Sequence, residues 1–108
     1  MDAVRALLDG GHLVLLAGDG LTRLGDIQLE SPSGVVLSGM LMLNGFPKFC
    51  EALTNGDVKR AAFYGAQGAL IASGLTVGDG KDFDIVMRNS SVSVGNLIKI
   101  DAAELRHA

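Results

Sequence analysis

"HLVLLAGDGLTRLGD", residues 12–26, runs an aliphatic stretch straight into a glycine-rich turn. Its reading decides the fold. A strand feeding a phosphate-cradling loop would make a nucleotide-binding domain, whereas two strands joined by a tight hairpin would make a small β module. A dinucleotide fingerprint needs G-x-G-x-x-G between a strand and a long helix. Gly18 and Gly20 supply the G-x-G, but the next glycine is Gly25, with Leu21 to Leu24 intervening where two residues belong. The segment that follows, "DIQLE" (26–30), alternates as a strand does, and offers no helix N-terminus to an anion. A nucleotide fold also needs several βαβ units, and none fits this pattern. The GDG is a hairpin turn.

The same texture continues outward. Fifteen glycines punctuate short apolar or alternating runs, the pattern of an antiparallel β domain. Strands are expected at about 12–17, 25–30, 35–37, 40–44, 58–64, 69–73, 82–88 and 97–106. In "DIQLE", Ile27 and Leu29 point one way and Asp26, Gln28 and Glu30 the other. Phe83, Ile85 and Met87 share a face opposite Asp82, Asp84 and Arg88, and Val92/Val94 and Ile98/Ile100 alternate likewise. Strands wet on one face belong to antiparallel sheets. Connections such as Ser31–Gly34, Thr54–Asp57, Gly65–Gly68 and Gly78–Gly80 are turn-like. "PKFCEAL" (47–53) reads as a helical turn starting at Pro47, or as an irregular loop between sheets. Ahead of all this, "DAVRALLD" (2–9) places Val4, Leu7 and Leu8 along a short helix stopped by Gly10–Gly11. So short a helix cannot stand alone and must dock.

The expected architecture is therefore all-β: one domain over 1–108, an antiparallel β-sandwich or jelly-roll-like barrel (11–108) fronted by a short helix (1–10). A chain of this size buries enough surface for one core without disulfides or metals. The charged fraction, 19%, is low beside 48% apolar residues. Two readings stand side by side: an aliphatic-rich core, or apolar surface that a partner covers.

Charge and composition exclude several classes. A net charge of −3 and a pI near 5.1 are opposite to a nucleic-acid binder's basic stripe. With four Phe, one Tyr and no Trp, a base-stacking platform is not expected either. No run approaches a membrane span, the longest apolar stretch (Val35 to Leu43) being broken by Ser38 and Gly39. The N-terminus lacks signal-peptide character. Cys50 is the lone cysteine, so neither a disulfide framework nor a cysteine metal site is expected. Asn89-Ser90-Ser91 matches a glycosylation acceptor but reads as turn chemistry.

The candidate chemistry is sparse. Asp79, Asp82 and Asp84 crowd the 78–84 turn but miss the ligand spacing of a calcium loop, and an acidic solvent face is the expectation. His12 opens a strand and His107 lies near the C-terminus, neither beside a serine, cysteine or carboxylate at a recognisable spacing. Cys50 suits a small apolar gap. An enzyme would need a polar pocket around His12 or Cys50, and neither catalytic, cofactor-binding nor metal residues are expected. Met40 and Met42 share one strand face, as core filler or as an adaptable contact patch. Val4, Leu7, Leu8, Met40 and Met42 are the candidate interface residues.

Over residues 34–107, "GVVLSGMLMLNG", "KRAAFYGAQGALIASGLTVG" and "DFDIVMRNSSVSVGNLIKIDAAELRH" follow one another in a suggestive order. It resembles that of small structural proteins of tailed bacteriophages, whose paired strands read A-x-[FW]-x-x-x-[DG]-x-x-G, followed by D-[IL]-x-[LM]-N-x-x-x-[IV]-x-x-G. Ala62, Gly68, Asp84, Ile85, Met87, Val92 and Gly95 fall at those spacings, Tyr64 takes the aromatic place, Asn89 stands one residue late, and Gly74 and Gly78 follow within the second strand of the pair. The chain departs from the pattern at "GDGLTRLGDIQLE" and around "PKFCEALTNGD". The resemblance implies a non-enzymatic virion component, a capsid decoration or cement protein or a tail accessory, assembled in the bacterial cytoplasm. Its partners would be copies of itself or other capsid or tail proteins, with no cofactor, nucleic acid or membrane. The alternative from a different class is a small carbohydrate- or ligand-binding β module using loops such as 78–82.

Overall fold

Four consecutive aliphatic side chains in Leu13–Leu16 give β1 (His12–Leu16) two apolar faces, and the sheet is built around it. In the computed structural model, which describes residues 6–19, 22–31, 33–37, 40–79, 84–87 and 91–106, β1 pairs antiparallel with β2 (Arg23–Gln28) on one side. On its other side it pairs antiparallel with β7 (Arg60–Tyr64). Asp19 closes the β1–β2 connection by accepting from the Thr22 N–H at 2.9 Å and the Thr22 hydroxyl at 2.7 Å. Ala17 N–H donates back to the Thr22 carbonyl at 3.0 Å. The opening stretch is a hairpin.

The fold is all-β. Continuing along the chain are β3 (Gly34–Leu37), β4 (Met40–Leu43), β5 (Lys48–Glu51) and β6 (Gly56–Asp57). After β7 come β8 (Leu70–Gly78), β9 (Ile85–Val86), β10 (Ser91–Val92), β11 (Leu97–Ile100) and β12 (Ala102–Arg106). Eight of these strands form one sheet in the order β2-β1-β7-β8-β9-β12-β4-β3, while β10 pairs β6 and β11 pairs β5 as two ribbons. The sheet curls around one core containing Leu8, Leu13, Leu15, Leu24, Phe63 and Ile85, among others. The ribbon of β5 and β11 adds Ile98 and Ile100 to it.

Several expectations are corrected. "PKFCEAL" is neither helical nor irregular: its first half is β5, held by an antiparallel register running from Lys48↔Ile100 to Glu51↔Leu97. The sheet is not wholly antiparallel, because β8 and β9 run parallel through Val77↔Ile85 and Gly78↔Val86. The expected strand at 97–106 divides at Asp101, whose N–H leaves the β5 ribbon for the Val86 carbonyl at 2.8 Å. The strand begun near 69 runs on to Gly78 instead of ending at 73. Gly74, at φ +68°, supplies the left-handed residue of a bulge where the β7–β8 register shifts, so the strand bends without stopping. Asn55-Gly56 links no hairpin. Gly56 instead pairs Val92, and the Asn55 side chain accepts from the Val94 N–H at 2.7 Å.

The N-terminal element is a helical turn over residues 6–8. Leu8 is completely buried in the core and is not available as a contact residue, whereas Leu7 is exposed. Adjacent helical residues sit about 100° apart, so one docks as the other faces out. Val4, Asp82, Phe83, Arg88, Asn89 and His107 lie outside the described residues.

Candidate functional site

Three surfaces gather the side chains that chemistry or binding would use. The first is the outer face of β2, β1 and β7. Here the second apolar face of β1 is nearly sealed: Val14, Leu16 and Ala62 are buried beneath a half-buried Tyr64. Long polar side chains do part of the covering. The Arg23 guanidinium lies 5.5 Å from the Tyr64 ring centroid, within cation–π range. His12 Nδ1 and Asp26 Oδ1 are 2.9 Å apart. A hollow of about 130 Å³ opens between His12, Val14, Arg23, Asp26, Tyr64 and Gly68. Asp26 orients the imidazole, but the lining carries no serine, threonine or cysteine for it to activate. Its chemistry is that of a contact surface: Tyr, Arg and His over an apolar floor.

The second surface is a groove of about 300 Å³ along the side of β11 not paired to β5. Ser91, Ser93, Asn96, Lys99 and Asp101 give it polar groups, with Leu97 and Ile98 between them. Lys99 Nζ stands 3.5 Å from Asp101 Oδ1, so the groove's charge is partly balanced within itself. Small polar ligands are the class that such a lining accommodates.

The third surface is apolar. Phe49 and Leu97 stand on one face of the β5–β11 ribbon, since the register sets Phe49 opposite Lys99 and Glu51 opposite Leu97. Leu53 and Val94 flank the end of the ribbon, where Gly95 N–H reaches the Ala52 carbonyl at 3.1 Å. All four are 56–74% exposed. On the far side of the molecule's strand order, Val35 of β3 and Met42 of β4 are directly opposed and both exposed, with Met40 half-buried on the same face. Met40 and Met42 are therefore not core filler. Leu41 and Leu43 fill the core, and the methionines turn away from it, Met42 beside Val35 rather than Val36.

Cys50 and the acidic turn are packing features. The Cys50 thiol is half-buried against the inner side of β2, and burial pushes its pKa up. The nearby Asp26 charge adds to that rise, and a hydrogen bond to the Asp26 backbone opposes it. In the acidic turn, Asp84 Oδ2 accepts from the Thr76 N–H at 3.1 Å and the Thr76 hydroxyl at 3.2 Å. Asp84 N–H in turn donates to Thr76 Oγ1 at 3.1 Å. Among the described residues no three His, Cys, Asp or Glu side chains converge as a metal site requires. Sequence reasoning missed the apolar strip on the ribbon. Its signal was the alternation in Lys48-Phe49-Cys50-Glu51, obscured by the preceding proline.

No protein-family model, curated protein or solved structure matches this chain.

Proposed function

We propose that the chain is a non-enzymatic assembly module, a structural protein of a phage-like particle that works by covering and bridging protein surfaces. The observation that carries this reading is the exposure of four large apolar side chains around the β5–β11 ribbon, Phe49 and Leu97 on one of its faces beside Glu51 and Lys99, and Leu53 and Val94 flanking its end. A monomer gains little from large apolar side chains left in water, and exposed apolar surface marks contact sites. The virion setting rests on the sequence resemblance over residues 34–107, and it makes the partners copies of the chain or a capsid or tail lattice. Repetition in such a lattice multiplies contacts that are individually weak.

The test is solution mass by size exclusion with light scattering over a hundredfold range of concentration, for the native chain and for Leu97→Asp. A defined oligomer that Leu97→Asp dissolves supports the ribbon as an assembly surface. A strict monomer at every concentration removes self-assembly through the ribbon and leaves docking on a preformed lattice. The polar groove beside β11 favours one other reading, a small-ligand module. Shifts of the Asn96 and Lys99 amide resonances on titration with simple sugars would support that reading, and unshifted resonances would remove it.

A further inference from the structure

The outer face of the β5–β11 ribbon is a checkerboard of two apolar and two charged side chains. The register sets Phe49 opposite Lys99 and Glu51 opposite Leu97, and all four are exposed. The other face of the ribbon is committed to the core, where Ile98 and Ile100 are buried and Cys50 is half-buried. Directly opposed residues on antiparallel strands stand about 5 Å apart and diagonal ones about 7–8 Å. Phe49 and Leu97 therefore occupy one diagonal of a small rectangle, and Glu51 and Lys99 the other.

The two charges are not spent on each other. Glu51 forms no ion pair with Lys99 or with any other of the described residues. Lys99 Nζ stands 3.5 Å from Asp101 Oδ1, longer than the about 2.7–2.9 Å of a charge-assisted hydrogen bond. An ammonium carries three donors, so this loose contact leaves Lys99 able to take a second carboxylate.

We infer that two copies of the chain pack these faces together about a two-fold axis lying along the Phe49–Leu97 diagonal. This rests on the reading of the chain as an assembly module and adds the partner, the face and the register. Four two-fold axes in the plane of the face bring the four positions of one copy onto those of the other. An axis along the strands sets Phe49 on Lys99 and Glu51 on Leu97. An axis across them sets Phe49 on Glu51 and Lys99 on Leu97, so either one covers every charge with an apolar side chain. An axis along the Glu51–Lys99 diagonal sets Glu51 on Glu51 and Lys99 on Lys99, and like charges so opposed are costly. Only the Phe49–Leu97 axis is self-complementary: Phe49 meets Phe49, Leu97 meets Leu97, and a Glu51–Lys99 pair closes on each side. Same-face residues along a strand are about 6.8 Å apart, so the strands of the two ribbons cross at roughly 70°, close to the orthogonal packing of sheets. Four side chains on each copy fall well short of the about 20–30 residues a side of a standard interface. The contact is thus weak and reversible, and effective when repeated in an array.

The experiment is sedimentation velocity of the full chain up to millimolar concentration, with the two charges exchanged. Glu51→Lys alone, or Lys99→Glu alone, opposes like charges across the axis and should weaken association roughly tenfold or more. Mixing the two single variants restores opposite charges at both contacts, and the double variant Glu51→Lys/Lys99→Glu restores them between identical chains. The mixture and the double variant should each associate as the native chain does. Glu51→Lys also raises the net charge of −3 by two, so general repulsion between copies would make it associate more readily rather than less. Circular dichroism should be unchanged for every variant, since both positions are exposed. Single variants that associate like the native chain, or a mixture that stays apart, overturn the proposal. If the native chain associates in that case, the face and its register are refuted while the assembly reading stands. A native chain that is monomeric throughout refutes the pairing and leaves the assembly reading only docking on a preformed lattice.

Discussion

Gly25 is the position where the packing of the β5 ribbon against the sheet can be weighed most directly. A Cβ placed there would lie 2.8 Å from Cys50 Sγ, 3.2 Å from Ile98 Cδ1 and 3.3 Å from Leu15 Cδ1. The first distance is well inside van der Waals contact, and it comes from β5. Overpacking of this kind costs about 1–3 kcal/mol. The gain from a less flexible unfolded chain, about 0.4–1 kcal/mol for Gly→Ala, offsets part of it. Gly25→Ala should therefore destabilise by about 1–2 kcal/mol. Cys50→Ala removes the atom in closest conflict, leaving only the looser contacts to Ile98 and Leu15. In the Cys50→Ala background the cost of Gly25→Ala should fall by about 1 kcal/mol, inside the range seen for residues in contact. Urea unfolding of the four proteins measures the cycle, with equal m-values showing that the denatured states are comparable. Thermal midpoints should follow at about 4–8 °C per kcal/mol. Strict additivity, or a Gly25→Ala protein as stable as the native one, would refute the placement of Cys50 over Gly25. The packing of β5 on β2 would fall with it.

The raised pKa of Cys50, caused first by burial, gives two signed expectations. Alkylation by iodoacetamide should be slower than for a free thiol at the same pH, and should accelerate on addition of urea. A thiol whose pKa is higher folded than unfolded contributes stability that is complete below the unfolded value and lost as pH rises through the folded one. The thermal midpoint should thus fall on moving from neutral to strongly alkaline pH, and Cys50→Ala should reduce that fall. At the middle of the sheet, Asp84→Ala removes both acceptor contacts to Thr76. It should cost about 1 kcal/mol, with Asp84→Asn recovering most of it in the same melting assay. An unchanged midpoint for Asp84→Ala would remove the Asp84–Thr76 clasp as a support of the parallel β8–β9 pairing.

What was legible in the sequence is what short-range pattern determines. The run Leu13–Leu16 declared a strand, and Ile27, Leu29, Ile98 and Ile100 are all buried as their alternation implies. Gly65–Gly68 closes a true hairpin, with Gly65 N–H to the Ala69 carbonyl at 2.8 Å and Gly68 at φ +89°. The misread positions depend on partners distant in the chain. Lys48–Glu51 has weak strand character of its own, a Pro before it and a cysteine within it, and becomes β5 because residues 97–100 lie alongside. Tertiary pairing overrides local preference at such a segment. Val92 and Val94 alternate in sequence, yet one is buried and the other exposed, because the chain turns between β10 and β11.

The contact surfaces are a sharper case, since alternation says that two faces exist without saying which is wet. In "MLML" (40–43) either pair could have filled the core, and only the pairing of β4 with β3 and β12 turns Leu41 and Leu43 inward. That choice leaves Met42 beside Val35 on the outer face, at an uncharged edge. Folding alone does not require either side chain to be apolar, because both are largely exposed. The same holds for Phe49 and Leu97, where a polar residue would serve the ribbon equally well and reduce the risk of aggregation. Apolar side chains at positions where the monomer gains little from them are best accounted for by surfaces that the monomer does not itself supply.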